Sequence, residues 1–226
     1  ASHLRRTESL TALLVVTLLV CPAVLAGSVT AGPAPQVGAT SATVEDSTEV
    51  AVVDTTVDGH ETLVRAAHAE GMTVVTVSSA AELRAALANH SDIDALHVLS
   101  HGTVGTVQIG DDALTKESLA DDEALTTAIE ESLAPGGDLL LYGCLVADGE
   151  GQAFVDAVAS ATGSDVAAST DLTGPTTLGG DWVLEAETGT IDSATLDNSV
   201  LAEFANTLAF TFGFEGVGGG DPVGQT

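Results

Sequence analysis

Two residues of the 226-residue chain have types and settings that suggest chemistry, His101 and Cys144. Each closes an apolar run and each adjoins a glycine. "HVLSHG" (97–102) ends in His101–Gly102, and "DLLLYGC" (138–144) ends in Gly143–Cys144. A cysteine attacks as its thiolate, so it needs a neighbour that takes the thiol proton and later protonates a leaving amine. Histidine has the pKa to do both near neutral pH. Gly102 and Gly143 would let a substrate backbone approach closely and could leave backbone N–H groups free to hold an oxyanion. The competing reading is two buried residues at the ends of two strands, because a free cysteine most often behaves as a small buried hydrophobe.

The other histidines carry less. His97 precedes His101 by four residues; on a strand that spacing leaves the two side chains on one face about 13 Å apart, too far to share a metal. It reads as a satisfied core or interface histidine. His60, His68 and His90 fall on helices or helix ends and read as surface residues. No Cys/His cluster points to a structural metal and no D-x-D-x-D-G loop to calcium. No G-x-G-x-x-G or P-loop follows a strand, which argues against a nucleotide. The expected site holds no metal and no cofactor.

Alternating strands and helices must position the pair. "EVAVVD" (49–54), "MTVVTV" (72–77), "DALHVLS" (94–100), "DLLLYG" (138–143) and "SDVAAS" (164–169) read as strands. Helical spacing of Leu63, Ala66 and Ala67 with a stop at Gly71 marks the first helix. Ser79 with Glu82 three residues on forms a capping box for the second. A hairpin-like stretch, "GTVQIGDDALT", precedes a single helix expected from Lys116 to Leu133, and "GEGQAFVDAVASATG" gives another helix carrying Phe154, Val155 and Val158. Unbroken apolar strands between helices indicate an α/β fold with a mostly parallel sheet covered on both faces, and the turn-rich chain after residue 170 indicates an antiparallel edge. In such sheets the functional crevice lies at the carboxyl ends of the strands, where Asp54, His101 and Cys144 all fall.

Charge bounds the partners. The chain has 33 acidic and 5 basic side chains, net −28, and its one lysine is Lys116. Such a surface repels nucleic acid and anionic lipid. It suits a protein kept soluble in high salt, where screening acts over a few ångströms. Arg5 and Arg6 ahead of "LTALLVVTLLV", with small residues near Ala26, read as a secretory signal over 1–26, too short for a stable membrane span. Cys21 follows Val20 rather than a small residue, which argues against a lipoprotein. With the signal gone, Cys144 is a lone cysteine and a candidate reactive thiol. The chain opens on Ala, as expected of a trimmed sequence. Residues 27–47 read as a flexible linker, 48–193 as the folded domain, 194–211 as a helix, and the Gly-rich 212–226 as a tail or linker to further domains.

"DALHVLSHGTVGTVQIG", "GDLLLYGCLVADGEGQAFVDAVASATGSDVAASTDLTG" and "LGGDWVLE" resemble a bacterial domain of unknown function, DUF4347, found near the N-terminus of large exported proteins, often ahead of adhesin-type repeats. An apolar strand ending in His-Gly, followed by one ending in Cys, also looks like the caspase–gingipain–separase group of cysteine peptidases. The resemblance implies a three-layer caspase-like fold. It makes His101 the general acid/base and Cys144 the nucleophile, with the N–H groups of Gly102 and Cys144 as the oxyanion hole. Loops after the first, fourth and fifth strands would supply a substrate pocket, with Asp54, Thr170, Asp171 and Asp181 as candidates. Trp182 is a further candidate there, though it reads better as core packing, and Asp171 and Asp181 would serve equally as turn caps. An aspartate in that pocket would imply a basic residue at the scissile position.

The expectation is an exported Cys–His endopeptidase-like domain, at the surface or secreted, acting on a protein or peptide, including its own downstream domains. The alternative is a non-catalytic N-terminal module of a large adhesin; a small-molecule hydrolase using the same dyad differs only in substrate. The charge yields a test. Exchange from molar salt into low-salt buffer should expand or unfold the domain, followed by circular dichroism; unchanged stability in low salt would contradict a halophilic design.

Overall fold

The computed structural model describes residues 48–210; the expected signal segment, the linker and the Gly-rich tail lie outside them. In chain order the elements are β1 (Glu49–Asp54), α1 (His60–Ala69), β2 (Thr73–Val77), α2 (Ala80–Leu87), β3 (Ile93–Leu99), β4 (His101–Thr103), β5 (Thr106–Ile109), β6 (Asp112–Thr115), α3 (Lys116–Asp121), α4 (Glu123–Ser132), β7 (Leu133–Tyr142), α5 (Gln152–Thr162), β8 (Asp165–Ala168) and β9 (Ala186–Thr188). Six strands form one sheet in the order β2-β1-β3-β7-β8-β9. All its pairings are parallel except β8–β9, which gives the antiparallel edge. β4, β5 and β6 form a separate antiparallel sheet.

The central strands of the large sheet are mostly apolar because both faces are covered. Val50, Val52, Leu96, Val98, Leu139 and Leu141 share one buried cluster with residues of α2, α3, α4 and α5. The alternate residues Ala51, Val53, Ala95, Leu99, Leu140 and Tyr142 belong to a second cluster with Leu63, Ala66 and Ala67 of α1. Helices therefore lie on both faces, and α1 shares its face with the irregular chain after β9, through Leu196, Leu201, Phe204 and Leu208. Trp182 is core, as its composition favours: its ring meets Phe204 at 5.6 Å and Tyr142 at 6.5 Å.

Three expectations need correction. The helix expected over 116–133 breaks at Asp122, whose carboxylate accepts the Leu125 N–H at 3.0 Å and starts α4 as a new helix. The helix expected over 194–211 is a run of turns. Among its described residues, some donors bond outward, Leu196 N–H to the Tyr142 hydroxyl at 3.0 Å and Leu208 N–H to Thr173 O at 2.9 Å, while Asp197 closes a local turn by accepting the Ser199 N–H on its carboxylate. The capping box of α2 is half formed. Ser79 accepts the Glu82 N–H, but the Glu82 carboxylate reaches Ser78 rather than the cap residue.

Asp54, expected at the pocket, is interior. It is fully buried, and its carboxylate accepts from Thr56 N–H and hydroxyl, the Ser100 hydroxyl and Gly110 N–H, each at 2.9 Å. It ties the end of β1 to the end of β3 and to the β5–β6 turn, so it faces protein donors and no open surface. The Ser100 hydroxyl also contacts Gln108 O, so its single proton serves one of two acceptors, and the contact draws β5 into the same knot. Replacing Asp54 with Ala strands these buried donors, and urea unfolding should show a loss of about 3 kcal/mol or more; a loss below about 1 kcal/mol would contradict this bracing role.

Candidate functional site

β3 and β7 are neighbours, and Leu99 pairs with Tyr142. Each strand leaves the sheet just beyond that pair, so His101 and Cys144, each two residues further on, come to one rim. The two exits press together: a Cβ on Gly102 would lie 2.8 Å from Gly143 Cα and 2.7 Å from Val146 Cγ2. The glycines thus permit one backbone segment to cross the other, a use distinct from admitting substrate. Chain direction reverses at once after Cys144, where Leu145 adopts a left-handed φ of 61° and donates its N–H to Asp171 O at 2.7 Å. A non-glycine residue held there stores strain of about 1–3 kcal/mol, a feature that concentrates at functional turns.

The backbone donors at this crossing converge. Gly102 N–H donates to Leu208 O at 2.8 Å, and Cys144 N–H donates to the same oxygen at 3.3 Å. Two amides 42 residues apart in sequence thus hold one carbonyl. Cys144 is fully buried. Its Sγ accepts the Thr173 N–H at 3.2 Å, with Thr173 O at 3.5 Å. Burial pushes the thiol above its ordinary range, and the hydrogen bonds from Thr173 and Leu208 only partly offset it. His101 is half-buried, its ring edge-on to Phe210 at 6.3 Å, and its Nδ1 is buried without a hydrogen bond. No hydrogen bond joins His101 to Cys144 among the described residues; the chain segment carrying Leu208 enters where the two exits meet.

The remaining expected residues form a separate group. Asp171, Asp181 and Glu185 bring carboxylate oxygens within 4.8 Å of one another. Thr170 is tied to this group, donating its N–H and hydroxyl to Glu185 at 2.8 and 3.0 Å. Asp181 caps a turn by accepting Val183 N–H at 2.9 Å. Partial desolvation, and then the Glu185 and Asp181 charges, push the Asp171 carboxyl above its usual range. The three carboxylates offer oxygen ligands of the kind a cation takes, and Asp171 links them to the rim through its backbone oxygen, which accepts the Leu145 N–H. Sequence reasoning missed Glu185 because it stands in a short edge stretch with no motif. His97 is buried as expected but not satisfied: neither ring nitrogen has a hydrogen bond, the ring stacks on Tyr142 at 5.9 Å, and Glu49 lies 3.6 Å away. A broad cleft lies away from the rim, between α2 and α4 around Arg84 and Glu131.

The fold defines a mixed α/β domain whose parallel sheet presents a histidine and a cysteine at one edge. A family model, the domain of unknown function DUF4347, matches residues 50–208, and the chain belongs to that family. No curated protein and no solved structure matches it. No helix among the described residues is long and apolar enough to cross a membrane.

The buried thiol has a measurable consequence. Iodoacetamide at pH 8 should modify Cys144 of the folded chain at least about tenfold more slowly than in urea, because only the thiolate reacts and burial withholds it. The folded rate should climb only at pH values above those that ionise an ordinary thiol. Equal rates in the two states, by peptide mass mapping, would contradict the burial.

Proposed function

We propose that the domain is an exported Cys–His endopeptidase in which Cys144 is the nucleophile and His101 the general acid/base. What supports the reading is the pair of N–H groups, from Gly102 and Cys144, that meet on one carbonyl oxygen beside the cysteine. Donors aimed together at a carbonyl are what acyl transfer needs, because negative charge develops on that oxygen as sulfur attacks the carbon. The order of events is general. The thiol proton passes to His101, Sγ attacks, and the two amides hold the oxyanion. His101 then protonates the departing amine, and water releases the acyl group from sulfur. The setting we propose is secreted or at the cell surface, with a protein or peptide as substrate. The caspase-like relationship belongs to the same proposal, resting on the two apolar strands β3 and β7, which are followed closely by His101–Gly102 and by Gly143–Cys144.

The burial of Cys144 and its raised pKa favour a second reading, a non-catalytic N-terminal module of a surface adhesin in which the cysteine only fills space. Hydrolysis of a peptide library in high salt separates the two. The peptidase reading expects turnover that Cys144→Ala abolishes and His101→Ala lowers by about 100-fold or more. Turnover unchanged in Cys144→Ala would contradict it, and no turnover at all would favour the structural module.

A further inference from the structure

The carbonyl held by the two amides belongs to this chain, and the segment around it is bound as a strand. Leu208 N–H donates to Thr173 O at 2.9 Å, Gly102 N–H donates to Leu208 O at 2.8 Å, and Phe210 N–H donates to Gly102 O at 3.2 Å. Gly102 and Ala209 form a parallel bridge. Residues 208–210 thus run between β4 on one side and Thr173 on the other. Upstream the segment is held by Asn206, whose amide donates to Asp58 O at 2.8 Å. Gly174 makes room for it: a Cβ there would lie 2.9 Å from Asn206 O and 3.0 Å from Thr207 Cα.

The placement has a polarity. Leu208, on the acyl side of the carbonyl, is fully buried in the cluster that contains Cys144 and Trp182. Thr173 O accepts the Leu208 N–H and also lies 3.5 Å from the Cys144 thiol. On the amine side, Phe210 carries the ring that meets His101. The nucleophile therefore neighbours the residue that would be acylated, and the proton donor neighbours the part that would leave.

We infer that the domain's first substrate is its own chain and that the bond it cuts is Leu208–Ala209, an inference that rests on the peptidase reading above. The Cys144 thiol proton passes to His101 and Sγ forms a bond to the Leu208 carbonyl carbon. Gly102 and Cys144 N–H stabilise the oxyanion. The C–N bond to Ala209 breaks, and His101 protonates the Ala209 amine. Water then hydrolyses the thioester, leaving Leu208 as a carboxylate and Cys144 as a free thiol. The residue read on the acyl side is apolar and fills a buried site, in place of the basic residue that the aspartates alone would imply. After the cut Ala209 and Phe210 are no longer tied to Leu208, and their release from Gly102 and His101 would open that side of the site to other chains. Because both parties are on one chain, the rate should not depend on protein concentration.

The experiment is intact-mass analysis of the 226-residue chain over time in high salt, at two concentrations tenfold apart, with a peptide library assayed alongside. Cys144→Ala, His101→Ala and Ala209→Pro are the variants, each checked for folding by Trp182 fluorescence. The expected result is a product ending at Leu208, formed at the same first-order rate at both concentrations. It should be absent from Cys144→Ala and from Ala209→Pro, and slowed about 100-fold or more in His101→Ala. Cys144-dependent cutting at another bond, or peptide turnover with the chain intact at Leu208, would overturn this inference and leave the peptidase reading standing. Turnover that appears only after residues 206–226 are deleted would make the segment an uncut plug, which also overturns it. Neither self-cutting nor peptide turnover in any chain would bring down both.

Discussion

The parallel pairing of β3 with β7 is the constraint on which the site depends. Leu99 stands opposite Tyr142, and the two strands end within a residue of that level. His101 and Cys144 reach one rim because each lies two residues past a paired position. Slipping the register by one would turn every side chain of β7 to the opposite face, exchanging Leu139 and Leu141 for Leu140 and Tyr142 in two different cores. The apolar faces therefore fix the register, and the register fixes the relation of the two reactive residues. Crossing of the exits then follows from Gly102 and Gly143, which lack the atoms that would collide.

Around this crossing, burial and reactivity pull in opposite directions. A covered thiol is held as the neutral form, and a peptidase needs the thiolate. Both facts fit one arrangement if the cover is itself the first substrate. Leu208 O occupies the two amides proposed to hold the oxyanion, and Leu208 is buried in the same cluster as Cys144. Asp171, which shares a carboxylate group with Asp181 and Glu185, braces the turn after the cysteine through its backbone oxygen.

Much of the fold was legible in the sequence, and the parts that were not share a cause. β1, β2, β3, β8 and α5 could be read because local periodicity matches what they bury. Ser79 and the glycine after α1 marked helix ends for local reasons too. Asp122 was missed because an aspartate inside a helical pattern looks the same whether it points to solvent or starts a new helix. The stretch from Leu196 to Leu208 carries apolar residues at near-helical spacing, yet those residues fill one face of the sheet from an irregular backbone whose donors bond to Tyr142 and Thr173. Asp54 was placed at the right strand end but given the wrong direction, since sequence does not tell whether a carboxylate at a strand end turns inward. The dyad was visible as two apolar runs closing on His-Gly and Gly-Cys. The return of residues 206–210 to it was not, because that contact spans the whole domain and leaves no local pattern.

The amides of Gly102 and residue 144 are engaged by the chain's own Leu208 carbonyl. Amide hydrogen exchange, read by NMR on the uncut Cys144→Ala chain, tests this engagement. Both amides, although Gly102 lies in the short strand β4 and residue 144 in the turn after β7, should exchange as slowly as those of β3. Exchange at the rate of solvent-open amides, with β3 still protected, would mean that the carbonyl is not held there and would contradict it.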